Sequence, residues 1–165
     1  MATKKAATGP AKKGKVGKRP VAGMHTIRFE AAKLNSLFVV LDAIAWLETP
    51  SSGQIAQFAG IDPRTAGKLI KNACNIGLAD GVGSGYMLTL PYPYKGSIDQ
   101  KEAVVREALV RNTILTAVRQ FLRLGDKTDV ALRKAATVAG IVPFVPANLN
   151  PLLEWASALN ALAGC

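Results

Sequence analysis

The chain has 165 residues, 49% of them apolar and 19% charged, enough for one generous domain or two small ones around a packed core. Its formal net charge of +10 is concentrated at one end. Residues 1–29 hold Lys4, Lys5, Lys12, Lys13, Lys15, Lys18, Arg19 and Arg28 without an acid, and the other 13 basic and 11 acidic residues nearly cancel. Such asymmetry suits a polyanionic partner, nucleic acid or an acidic membrane surface, and otherwise makes a solubilising tail.

Residues 1–23 contain no cluster of large apolar side chains, so their sequence predicts a disordered basic arm. Residues 24–30, MHTIRFE, read as a short strand or the lead-in to a helix. The two cysteines, Cys74 and Cys165, have neither metal-site nor redox spacing. No secretory leader is expected, since the first apolar run begins at Leu37 and is interrupted by Asp42. It is far shorter than the ~18 residues of a membrane span. The expected location is the cytoplasm, in association with the nucleoid, without membrane contact.

From Glu30 to Glu48, Leu34, Leu37, Phe38, Leu41, Ile44 and Leu47 recur at helical spacing, and Thr49-Pro50 ends the run. Ser51 and Ser52 offer caps for a short helix, Gly53 to Ala59, which stops at Gly60. Asp62-Pro63 restarts a helix that reaches Asn75. LADGV and YMLTL then flank the turn Gly83-Ser84-Gly85, a hairpin signal. Asp99 with Glu102 begins helical periodicity that runs to Leu124, with Asn112-Thr113 as a possible divide. Further helices are expected over about Asp129 to Ala139 and from Asn150-Pro151 to about Ala163.

The order helix, short helix, turn, helix, hairpin in SSGQIAQFAGIDPRTAGKLIKNACNIGLADGVGSGYMLTL resembles the winged helix-turn-helix domains of bacterial regulators such as the IclR and MarR families. The resemblance covers about 65 of the 165 residues. The residues themselves explain the pattern: Ala56 is small where two helices cross, Gly60 permits the turn, and Ile61 plugs the space beneath it. Ala66, Leu69, Ile70 and Ala73 form an inner stripe. Arg64, Thr65, Lys68, Lys71, Asn72 and Asn75 are left as a candidate recognition face, rich in the cations and amides that bond phosphates and major-groove base edges. Ser52, Gln54 and Ser84 are candidate flanking contacts, and Lys12, Lys13, Lys15, Lys18 and Arg19 candidate phosphate contacts of the arm. Lysines on a merely solvated helix face would look the same on charge alone.

AQFAGI at 56–61 recurs as ATVAGI at 136–141, which leaves open a second, degenerate helix-turn-helix. The helix after it carries Glu154, Ser157 and Asn160 outward, so that half suits packing, dimerisation or docking better than phosphate binding. The expected fold is thus mainly α with a small β-hairpin wing. It comprises a basic arm (1–29), a winged helix-turn-helix domain (30–95) and a helical C-terminal domain (96–165). With one histidine, His25, and no nucleophile elbow, phosphate loop or carboxylate cluster, no enzymatic role, cofactor or metal is expected. The expected partners are double-stranded DNA and, through 96–165, a second copy or another protein. The function read from this is a DNA-binding transcriptional regulator. The alternatives are a nucleic-acid-binding accessory subunit of a replication or defence complex and a protein-docking winged helix.

Overall fold

The computed structural model describes residues 27–163. The expectations placed on residues 1–26 of the arm, namely disorder, His25, and phosphate contacts through Lys12, Lys13, Lys15, Lys18 and Arg19, lie outside the described residues. Residues 27–29, expected to belong to the disordered arm, are ordered, with Phe29 buried. The described chain is mainly helical with one small hairpin. In order it forms α1 (Leu34–Leu47), α2 (Ser52–Ala59), α3 (Pro63–Asn75), β1 (Ala79–Val82), β2 (Gly85–Leu88), α4 (Ile98–Arg111), α5 (Thr113–Arg123), α6 (Thr128–Val138) and α7 (Asn150–Ala158), with a 3-10 turn at Pro146–Asn148.

Leu37, Leu41 and Ile44 of α1, Ile55 and Ala56 of α2, and Leu69, Ile70 and Ala73 of α3 are buried together. Each large side chain so buried is worth about 1.5–3 kcal/mol, more than a single capping bond, so this shared core holds the three helices together. The capping bonds set where each begins. Ser51 and Gln54 close a reciprocal capping box before α2, which makes Ser51 the cap and Ser52 the first helical residue. Asp62 Oδ1 accepts from the N–H groups of Arg64 (2.8 Å) and Thr65 (3.4 Å) at the start of α3.

The hairpin pairs Val82 with Gly85 across a two-residue turn, Gly83–Ser84, and Gly83 supplies the positive φ (59°) that such a turn needs at its first position. The connection between α1 and α2 lies against β2: the Tyr86 N–H donates to the Pro50 carbonyl at 3.0 Å. A Cβ on Gly85 would stand 2.1 Å from the Thr49 carbonyl oxygen, so only glycine permits this approach. The hairpin is thereby sewn to the connection between α1 and α2.

Several boundaries differ from those expected. The first helix begins at Leu34, not Glu30, because residues 27–33 form an extended strap whose backbone groups bond elsewhere. Phe29 N–H donates to the Asn148 carbonyl (2.7 Å), Asn72 engages both Glu30 backbone groups, and Trp155 Nε1 donates to the Ala32 carbonyl (3.0 Å). The cap of α4 is Ser97 in a capping box with Gln100, in place of Asp99 with Glu102. Asn112 divides the long periodic stretch, its Oδ1 accepting from the Ile114 and Leu115 N–H groups to begin α5. The last helix ends at Ala158, where Asn160 takes a positive φ (52°).

The repeated AxxAGI pattern has a local explanation. At Gly60 and at Gly140 the glycine N–H reaches back three residues, and the following N–H reaches back five, to Ala56 and Ala136 respectively. The same closure ends α3 at Gly77, α5 at Gly125 and α7 at Asn160. It marks helix ends.

Val105 and Leu109 of α4, Leu115 and Val118 of α5, Leu132 and Ala135 of α6, and Leu152 and Trp155 of α7 continue the buried cluster begun by the first three helices. Cross-links between the halves are polar as well: Lys101 Nζ lies 2.8 Å from Asp42 Oδ2, and Asn112 Nδ2 donates to the Asn75 carbonyl (3.4 Å).

Candidate nucleic-acid interface

α3 is a strongly amphipathic rod. Ala66, Leu69, Ile70 and Ala73 face inward and are buried, whereas Arg64, Gly67, Lys68 and Lys71 are exposed along the other side. The rod packs on α1, α2 and β1, and this cationic side remains open to solvent. Asp62 is the one acid at the rod's N-terminal end, and its carboxylate is engaged by the backbone it caps.

The six side chains expected to form a recognition face divide in two. Arg64, Lys68 and Lys71 are together and exposed, with Thr65 half-buried beside them. Asn72 departs from the expected face: it is 0% exposed, its Oδ1 accepting from the Glu30 N–H (2.9 Å) and its Nδ2 donating to the Glu30 carbonyl (2.7 Å). A buried amide satisfied on both atoms cannot read a base edge. Asn75 is half-buried and donates to the Arg28 carbonyl (3.1 Å). Both asparagines hold the strap. Positions 72 and 75 share a helical row with 64 and 68, so residue type and spacing alone gave them the same role. The backbone that claims them lies more than forty positions away.

Of the flanking candidates, Ser52 is exposed on the first turn of α2, and Gln54 is exposed with its Oε1 accepting from the Ser51 N–H (2.9 Å). Ser84 is exposed at the hairpin tip. The hairpin offers Asp80, Val82 and Met87 to solvent and carries no cation. Its surface does not match a phosphate backbone electrostatically.

Two residues that the candidate face did not include, Arg28 and Glu30, lie against it. Glu30 Oε1 is 3.2 Å from Arg28 Nε and 3.6 Å from Lys71 Nζ. Glu30 is the first acid in the chain, directly after a run of cations, and that isolation is the signal that marks it. In the helical half, two cations are turned on neighbouring groups of that half. Lys134 pairs with Asp126 (2.7 Å) and lies over the Phe121 ring, and Arg119 donates to the Val110 carbonyl (2.6 Å).

Cys74, on the flank of α3, is half-buried, and burial, then the nearby Asp80 carboxylate, pushes its thiol pKa up, which keeps it protonated and unreactive near neutrality. Among the described residues no group of three or more His, Cys, Asp or Glu side chains is placed to hold a metal ion, and no helix is long and apolar enough to cross a membrane. No protein-family model, curated protein or solved structure matches the chain.

Proposed function

We propose that this protein binds duplex DNA, with α1, α2, α3 and the hairpin acting as a winged helix-turn-helix, and that it is not an enzyme. The observation that carries this reading is the row Arg64, Lys68 and Lys71, open to solvent on a rod whose other side closes the core. The bond from the Tyr86 N–H to the Pro50 carbonyl supports it, since it fixes the hairpin to the connection that leads into α2. In this reading α3 meets the major groove, with Arg64 and Lys68 on phosphates or guanine edges. Ser52, Gln54 and Ser84 flank the backbone, and the cations of residues 1–26 add sequence-independent attraction. The helical half, which exposes Leu124 (79%) and Val138 (72%), serves a second copy or a protein partner.

A transcriptional regulator is the first form of this proposal. The second is an accessory subunit of a replication or defence complex, with little base readout. The burial of Asn72 and the bond from Asn75 to the Arg28 carbonyl favour the second, because they commit both amides to the strap while the cations of α3 stay exposed.

Fluorescence anisotropy with a labelled random duplex, across a salt series, tests the core claim. With about five phosphates neutralised, log K should fall against log[salt] with a slope near −4.5. Absence of binding at about 50 mM salt would overturn the reading and leave a docking module. Selection from a random library then separates the two forms: an enriched motif supports the regulator, and a flat outcome the accessory subunit.

A further inference from the structure

Two cations from separate parts of the chain, Arg28 on the strap and Lys71 on α3, converge on a single carboxylate oxygen, Glu30 Oε1, at 3.2 and 3.6 Å. The Glu30 side chain is only 19% exposed. Its backbone is fixed on both sides by the fully buried Asn72, and the Arg28 carbonyl is held by Asn75. The two cations are therefore pre-positioned around an anionic oxygen by bonds that do not involve their own charges. We infer that this is a phosphate-oxygen seat on the α3 face, occupied in the free protein by Glu30 as a resident competitor. A backbone phosphate displaces the carboxylate and takes both cations.

The chemistry fits the exchange. Arg28 and Lys71 are half or more exposed, so their pairing with Glu30 is of the solvent-screened kind that dissociates readily. A phosphate brings more than one oxygen and suits the arginine fork better than one carboxylate oxygen does. The seat also lies where the cation-rich residues 1–26 join the described chain, which places their covalent origin at the edge of α3. As a description of nucleic acid binding, the inference rests on the function proposed above. Its phosphate chemistry can be tested separately.

The experiment compares wild type, Glu30→Gln, Lys71→Gln and the double variant, against the random duplex by anisotropy and against inorganic polyphosphate by calorimetry. Thermal melts confirm that the strap survives, since Asn72 holds the Glu30 backbone. Glu30→Gln should tighten both ligands by about two- to fivefold at low salt, the range expected for removing one screened charge contact. That gain should largely vanish when Lys71 is already Gln.

A gain that persists unchanged in the Lys71→Gln background means a general field effect and overturns the seat. Duplex binding with no gain from Glu30→Gln overturns the seat while the DNA reading stands. Polyphosphate binding that gains from Glu30→Gln, without duplex binding, supports the seat and overturns the DNA reading. Failure of every protein to bind either probe overturns both.

Discussion

The helix ends at Gly60 and Gly140 are built alike, yet the corners beyond them are not. Both glycines take a left-handed conformation (φ 62° and 69°), and both are followed by an isoleucine N–H bonded five residues back, at 3.1 and 2.9 Å. After Gly60 the next helix starts at once, because Asp62 caps it and Pro63 fits its first position. After Gly140 the chain runs through Val142, Pro143 and a 3-10 turn before α7 begins at Asn150. A cleft of about 280 Å³, lined by Leu132, Arg133, Phe144 and Leu153, lies between α6 and α7, whereas α2 and α3 pack directly. The glycine closure says where a helix stops. The residues just beyond it decide whether two helices form a tight corner.

The first corner also has a brace that the second lacks, the hairpin sewn to Pro50, and breaking that brace should give the largest effect. Gly85→Ala places a Cβ against the Thr49 carbonyl, and we expect a loss of about 3 kcal/mol in denaturant unfolding, the upper part of the range for overpacking. An unchanged midpoint would mean that the hairpin is not packed on residues 49–50. Next in size is Asn72→Ala, which leaves the Glu30 N–H and carbonyl without their partner and should cost about 2 kcal/mol. If Asn72 read bases instead, the variant would keep its stability and lose DNA affinity alone.

Much of the first corner was legible in the sequence because its signals are local. Asp62-Pro63, the stripe of Ala66, Leu69, Ile70 and Ala73, and the Gly-rich turn each act within a few residues, and the structure follows them closely. The strap was not legible, since its backbone bonds to Asn72, Asn148 and Trp155, all remote in sequence. The same remoteness misassigned Asn72 and Asn75, whose residue type suits a groove as well as a buried clamp. ATVAGI looked like a second corner for a related reason: a six-residue pattern reports the helix end it encodes and nothing of the connector beyond it. The sequence points to Asp99 although Ser97 caps α4, because the two lie within one turn, where capping signals overlap.

The two corners predict opposite responses at the start of their second helices. Asp62→Ala removes the acceptor for two N–H groups and should cost about 1 kcal/mol. α7 begins with no side-chain cap, so Asn150→Ala should stay within about 0.5 kcal/mol of wild type. Equal losses from the two changes would mean that the caps do not distinguish the corners.

The smallest expected effect separates the outward faces. Lys68 stands on a row with Arg64 and Lys71, whereas the corresponding surface of α7 presents Glu154 and Ser157. Lys68→Ala should lower affinity for any duplex by about three- to fivefold at moderate salt and reduce the salt slope by about one. Glu154→Ala, at the other corner, should leave the slope where it is. Because phosphate contacts carry no sequence information, the Lys68 loss should be uniform across a library. A loss confined to one sequence would place Lys68 on a base edge and return weight to the regulator. A larger change in slope at Glu154 than at Lys68 would move the interface to the helical half.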